Sequence, residues 1–199
     1  SFSNETMLSF FGIADYNYDN RYFVQATVRE DGSSLFGAKN KWGLFWSASA
    51  SWNISNERWM ENTKNWLSLL KIRASYGLNG NNGIGPYQAY GVYASSQYNN
   101  VVGMLPSRPA NDYLSWEKNS TWNVGLDFGF FQNRIRGNFD VYERTTLDML
   151  LDVKVPQTTG FSTNFMNAGS MKNTGIEFQL DGDIISTNDF LWSVGFNIA

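Results

Sequence analysis

The chain contains no cysteine and no histidine, and only 4 of its 199 residues are proline. Without thiols or imidazoles, disulfide staples, thiol nucleophiles, imidazole acid–base work and the usual zinc sites are excluded. Charge is sparse, at 17% of residues, and nets only −3, so there is no basic footprint for nucleic acid. No apolar run reaches the roughly 18 residues that a transmembrane helix requires. Aromatics are abundant at 17%, yet mean hydropathy is only −0.36. Few soluble domains combine the two. A membrane-spanning β-barrel does, because half of each strand faces lipid and half faces water.

The segment Trp42 to Ile54 carries the pattern most plainly. Its even positions are Trp42, Leu44, Trp46, Ala48, Ala50, Trp52 and Ile54, while Ser47, Ser49, Ser51 and Asn53 fall between them. Side chains on a strand alternate faces, so one face is apolar throughout and the other is mostly small and polar. The apolar face has Trp near both ends and Ala in the middle. A globular sheet usually places bulk at the centre of its buried face. A transmembrane strand of about 9–11 residues places aromatics at its two interfaces instead.

The same period of two recurs along the chain, predicting about eight strands. They centre on Met7–Tyr18, Tyr22–Arg29, Trp42–Ile54, Leu70–Tyr76, Trp122–Phe130, Ile135–Tyr142, Ile176–Asp181 and Phe190–Ile198. Short connections are expected at Asp19-Asn20, at Ser55–Ser68 (a short helix with Ser55 as N-cap), at Gln132-Asn133 and near Ile185. Long ones are expected at Glu30–Lys41, at Leu78–Ser120, read as irregular, and at Thr145–Thr174, with a strand extension around Asp152–Val155. An antiparallel meander with short turns at one end and long loops at the other is the organisation of outer-membrane barrels. Charges on a lipid face cost about 2–4 kcal/mol for Arg or Lys at the midplane. Arg29, Lys71, Arg73, Asp127, Arg136, Asp140, Glu177 and Asp181 therefore belong to the lumen.

Two motifs yield to plainer readings. Asp15-Tyr16-Asn17-Tyr18-Asp19 matches the start of a calcium loop, but Asn20 stands where Gly is required and Ala26 where the closing carboxylate belongs. A polar lumen face entering a turn accounts for it. Gly77–Gly83 resembles a phosphate cradle without the Lys-Ser/Thr that completes one, and reads as a flexible loop. No residues assemble a catalytic constellation, so the chain is expected not to be an enzyme and to need neither cofactor nor metal. The candidates for substrate or partner contact are the loop aromatics Tyr87, Tyr90, Tyr93, Tyr98, Tyr113 and Trp116. Their wide apolar faces with polar edges suit stacking on sugars and anchoring of proteins. Packing the loop against itself would use the same rings.

Several phrases resemble the SusC/RagA-like TonB-dependent transporters. These are Arg21-Tyr22-Phe23 through Thr27–Gly37, Trp42-Gly43 with Ser47–Trp52, Leu70–Gly77, Tyr142–Thr146, Val155-Pro156 to Thr159-Gly160-Phe161, Asn167-Ala168-Gly169 and Asn173–Glu177. Together they run through nearly the whole chain in family order. The resemblance implies an all-β, antiparallel barrel section, about eight strands of a larger barrel of about 22. Residues 1–199 are then expected to be an internal barrel part, without the plug, the TonB box or the final strand. It also implies a multi-pass protein of the Bacteroidetes outer membrane that imports oligosaccharides or peptides. The implied partners are a SusD-like surface lipoprotein, TonB acting through the plug region, and outer-membrane lipid. Two alternatives use the same strands. One is a self-contained eight-stranded barrel with a structural or adhesive role, and the other a soluble carbohydrate-binding β-sandwich.

Overall fold

The computed structural model describes residues 5–37 and 39–199, without the side chain of Tyr98. The eight principal strands are β1 (Met7–Tyr18), β2 (Tyr22–Ser33), β3 (Trp42–Asn53), β4 (Leu67–Asn81), β7 (Glu117–Phe130), β8 (Ile135–Leu147), β11 (Ser170–Ser186) and β12 (Leu191–Ile198). They form one antiparallel sheet in the order β1-β2-β3-β4-β7-β8-β11-β12. Two hairpins stand apart, β5 (Val92–Tyr98) with β6 (Val101–Arg108) and β9 (Leu150–Lys154) with β10 (Thr163–Asn167).

Register shows that the two faces continue from strand to strand. Tyr16, Val24, Ala50, Ala74, Val124, Val141 and Ile176 are successive cross-strand partners and share the apolar face. One residue along, Asn17, Phe23, Ser51, Arg73, Gly125, Asp140 and Glu177 form a row of the polar face. A slip of one residue anywhere would exchange the faces, so the shared pattern pins the register. Aromatics cap the apolar face at both ends. Tyr18, Tyr22 and Trp52 pack at one end, with centroids 6.4 and 6.2 Å apart. Phe10 and Trp42 (6.3 Å) and Trp46 and Tyr76 (5.3 Å) pack toward the other. Ala and Val fill the band between, which is the girdle-and-band profile of a bilayer-spanning sheet.

The short connections lie together at one end. Asp19 and Asn20 both take positive φ (53° and 52°), which gives the tight hairpin between β1 and β2. Phe131, Gln132 and Asn133 (φ 53°, 59° and 63°) do the same between β7 and β8. The expected helix with Ser55 as its N-cap is instead a pair of 3-10 turns, Ile54–Asn56 and Arg58–Thr63, with no side-chain cap on either. Ser55 donates its hydroxyl to Asn53 Oδ1 (2.7 Å), and Glu57 is drawn away to other partners.

Three further expectations are corrected. The Leu78–Ser120 stretch is not irregular throughout, because β4 runs on to Asn81, β7 starts at Glu117 and the β5–β6 hairpin fills the middle. The Gly77–Gly83 stretch is for the same reason mostly strand. The turn expected near Ile185 comes later, after β11 has passed a bulge at Asp183–Ile185 and reached Ser186. A strand that runs beyond the apolar band at either end is wet on both faces, so it carries no apolar alternation to reveal it.

Neither the self-contained barrel nor the sandwich matches this topology. Closure with eight strands would pair β1 with β12, and they lie at opposite edges. A sandwich needs two packed sheets, and the principal strands make only one.

Candidate functional site

The long connections converge into a roof with its own hydrophobic core. Leu35 and Phe36 come from the β2–β3 loop, Ile84, Ala89, Leu114 and Trp116 from the β4–β7 connection, and Phe45 from the polar face of β3. Leu150 and Phe165, from the β9–β10 hairpin, pack against them. Trp116 meets Phe36 at 5.1 Å and the edge of Phe45 at 5.4 Å. A Cβ on Gly80 would overlap the tip of the Phe45 ring, so that position on β4 admits only glycine while Phe45 stays where it is. Polar ties join the loops as well. Asn40 Nδ2 donates to the Tyr113 carbonyl (3.0 Å), Trp116 Nε1 to that of Lys41 (3.3 Å) and Asn111 Nδ2 to that of Phe165 (2.9 Å). Asn167 accepts from the Ser115 amide and donates to the Ser115 carbonyl, both at 2.8 Å.

The six candidate aromatics divide. Trp116 is only 4% exposed and serves the roof's own core rather than presenting a face to a partner. Tyr87, Tyr90, Tyr93 and Tyr113 are exposed, Tyr113 most of all at 80%. Tyr98 lies outside the described side chains. Tyr87 and Tyr90 border one hollow of about 310 Å³ with Ser34, Leu35 and Pro86, whereas Tyr93 stands on the β5–β6 hairpin. That hairpin also exposes Val101, Val102, Met104 and Leu105, which the sequence reading passed over. The signal available for it was Asn99-Asn100, a turn pair with φ of 49° and 63° between two short runs of strand-forming residues.

Beneath the roof, the polar face carries the expected charges. Arg73 Nε donates to both oxygens of Asp127 (3.0 and 3.1 Å), and its Nη2 to Asp140 Oδ2 (2.7 Å). Asn123 Nδ2 donates to the other Asp140 oxygen (3.1 Å). One guanidinium thus ties β4, β7 and β8. Gly125 leaves room for it, since a Cβ there would lie 2.6 Å from Asp140 Oδ1 and 2.7 Å from Arg73 Cζ. Lys71 Nζ sits over the Phe23 ring at 5.5 Å. A hollow of about 460 Å³ opens here, lined among others by Asp15, Gln25, Ser49, Lys71, Arg73 and Ser75. Hydroxyls, amides and balanced charge make a wettable wall. The Asp15–Asp19 segment has its side chains engaged within the protein. Asp15 accepts from Gln25 (2.7 Å), Asn17 and Asn20 bond each other (2.9 Å), and Asp19 pairs with Arg21 (2.6 Å).

The end with short turns has a small core, Ile54, Met60 and Leu67 with Leu70 and Phe130. Beside it lies buried Glu57. It accepts from the Tyr22 hydroxyl (2.6 Å), Trp52 Nε1 (3.0 Å) and Arg21 Nη1 (3.1 Å). The Tyr22 hydrogen bond first, then those from Trp52 and Arg21, hold its carboxyl below the usual range against the opposing cost of burial.

Comparison with known proteins follows the same geometry. The family model "TonB dependent receptor-like, beta-barrel" matches residues 1–199. The TonB-dependent receptor SusC of Bacteroides thetaiotaomicron is 40% identical over 209 residues, covering 99% of this chain and 20% of that protein. The TonB-dependent receptor P26 of Formosa agariphila is 37% identical over 195 residues, 96% of this chain and 20% of that one. Among solved structures, the RagAB peptide transporter superposes with a TM-score of 0.88 at 39% identity, over 97% of this chain and 21% of that chain. The siderophore receptor PirA of Pseudomonas aeruginosa shares the fold at a TM-score of 0.63 and 15% identity. The chain spans about a fifth of the length of the relatives it matches. An open, girdled sheet with a charged inner wall and a family match from end to end make one conclusion: the chain belongs to the β-barrel of the TonB-dependent receptors.

Proposed function

We propose that this chain is a wall section of an outer-membrane importer that carries oligosaccharides or peptides through a TonB-dependent barrel. In this reading the apolar face meets lipid and the polar face lines the passage. A SusD-like surface lipoprotein covers the mouth, and TonB acts through a plug region. Exposed tyrosines of the roof, Tyr87, Tyr90, Tyr93 and Tyr113, with Tyr98 of the same loop, meet substrate or lid, and Trp116 holds the loops that carry them.

The observation that carries the proposal is the continuity of the two faces across all eight strands, joined to close superposition on a transporter. A receptor that only bound at the surface would have no need of a hydrophilic wall running the depth of the sheet. Likeness to a peptide transporter and to SusC supports import and leaves both substrate classes in play.

The test uses the full-length protein in its host. Uptake of labelled peptide and oligosaccharide pools should fall, when TonB is removed, to the level of a strain lacking this gene. Tagged protein drawn from the outer membrane should bring a SusD-like lipoprotein with it. Uptake through the protein that survives loss of TonB would overturn the energy-coupled reading.

A further inference from the structure

The hollow bordered by Pro86, Tyr87 and Tyr90 differs from the lumen hollow in one chemical respect. Its lining residues, Ser34, Leu35, Pro86, Tyr87 and Tyr90, supply three hydroxyls and no charged group. The lumen hollow is lined by Asp15, Lys71 and Arg73 among others. At about 310 Å³ it lies at the small end of ligand pockets, which begin near 300 Å³.

Its walls are also fixed in place. Tyr87 adopts φ of 61°, a left-handed conformation that a bulky aromatic residue rarely takes. Arg108 Nη2 donates to the Tyr87 carbonyl (2.7 Å), and the Tyr90 amide donates to the same oxygen (3.1 Å). Between the two residues in sequence, Ala89 is fully buried in the roof core, and its carbonyl accepts from the Asn111 amide (3.0 Å). Both tyrosines are therefore anchored through their backbone while their side chains remain exposed. Strained positions that the surroundings over-determine cluster at ligand sites.

We propose that this hollow is a sugar-stacking subsite on the roof, taking a neutral pyranose unit of an oligosaccharide. The inference rests on the importer reading above and selects one of its two substrate classes for this site. A pyranose ring offers a C–H face to an aromatic ring and hydroxyls at its edge, matching the exposed tyrosine rings and the hydroxyls that border this hollow. A short free peptide brings charged termini, for which the lining residues hold no counter-charge, and backbone amides, which seek a strand edge.

The experiment applies the full-length transporter in detergent to a printed array of neutral plant, algal and microbial polysaccharides. Titration calorimetry then follows with an oligosaccharide of the strongest class. Wild type should bind. Tyr87→Ala and Tyr90→Ala should each weaken binding by roughly tenfold or more, the loss of one anchoring ring. Tyr87→Phe and Tyr90→Phe should keep most of the affinity, since the ring remains. Heat-modifiable migration on gels checks that each barrel is folded. A blank array, or alanine variants that bind like wild type, overturns the sugar site. If TonB-dependent peptide uptake persists beside a blank array, the importer reading stands and only this inference fails. If no TonB-dependent uptake of any kind is found, the importer reading itself falls.

Discussion

At Glu57 the cost of a buried polar group is met by three donors. The residue lies between β3 and β4 at the end with short turns, and takes them from Arg21, Tyr22 and Trp52. Those donors belong to the β1–β2 turn and to the aromatic girdle, so one carboxylate joins the turn, the girdle and the 3-10 segment. Its folded-state pKa is depressed, with the Tyr22 hydrogen bond as the largest cause. A depressed carboxylate gives stability that is fully present above its unfolded pKa and is lost as pH falls through the folded one. Hydrogen exchange in residues 54–63 should therefore be flat from about pH 8 to about pH 5, once corrected for intrinsic rates, and rise only in stronger acid. Glu57→Gln should open the segment at every pH and flatten the acid step. An unchanged acid step in that variant would assign it to another carboxylate.

At the scale of the strand, face assignment is what sequence and register both speak to. Ala50 pairs with Val24 and Ala74 on the apolar face, and Ser49 with Gln25 and Ser75 on the polar one. Ala50→Arg should destabilise the barrel by about 2–4 kcal/mol if that row lies near the midplane. Ser49→Arg should cost much less, because it enters the wetted hollow. Denaturant unfolding in lipid measures both, and equal losses would dissolve the lipid and lumen assignment. The sheet was legible in the sequence because every spanning strand had one face that had to be apolar. The β5–β6 hairpin was not, because it is bounded by no lipid and exposes Val101, Val102, Met104 and Leu105 without an alternation to read. The split among the candidate aromatics was equally hidden. Trp116 and Tyr113 differ by three positions in one loop, yet one is buried under Phe36 and Phe45 and the other is almost free. Only the meeting of three loops decides that, and no local pattern encodes it. The pairing of Arg73 with Asp127 and Asp140 falls between these cases: period two placed all three on one face, and register brought them into contact.

At the scale of the whole molecule, the two ends of the sheet have different cores and different uses. One end is closed by tight turns and the small cluster around Met60, and the other carries three long connections fused into a single roof. Outer-membrane barrels keep short turns on the periplasmic side and long loops outside. Sidedness follows from this and can be read with single cysteines, because the chain has none of its own. Gly91, exposed just before β5, belongs to the roof, and Asn188 to the turn between β11 and β12. Gly91→Cys in the full-length protein should react with an impermeant maleimide on intact cells. A strain without the lipoprotein proposed above as the lid would be used there, so that nothing shades the roof. Asn188→Cys should react only after the outer membrane has been opened. The two probes sit at opposite ends of the same sheet, so the result is a comparison within one protein and does not depend on absolute labelling rates. The reverse order of labelling would invert the sheet in the membrane, placing the exposed tyrosines in the periplasm, where neither substrate capture nor a surface lid could use them.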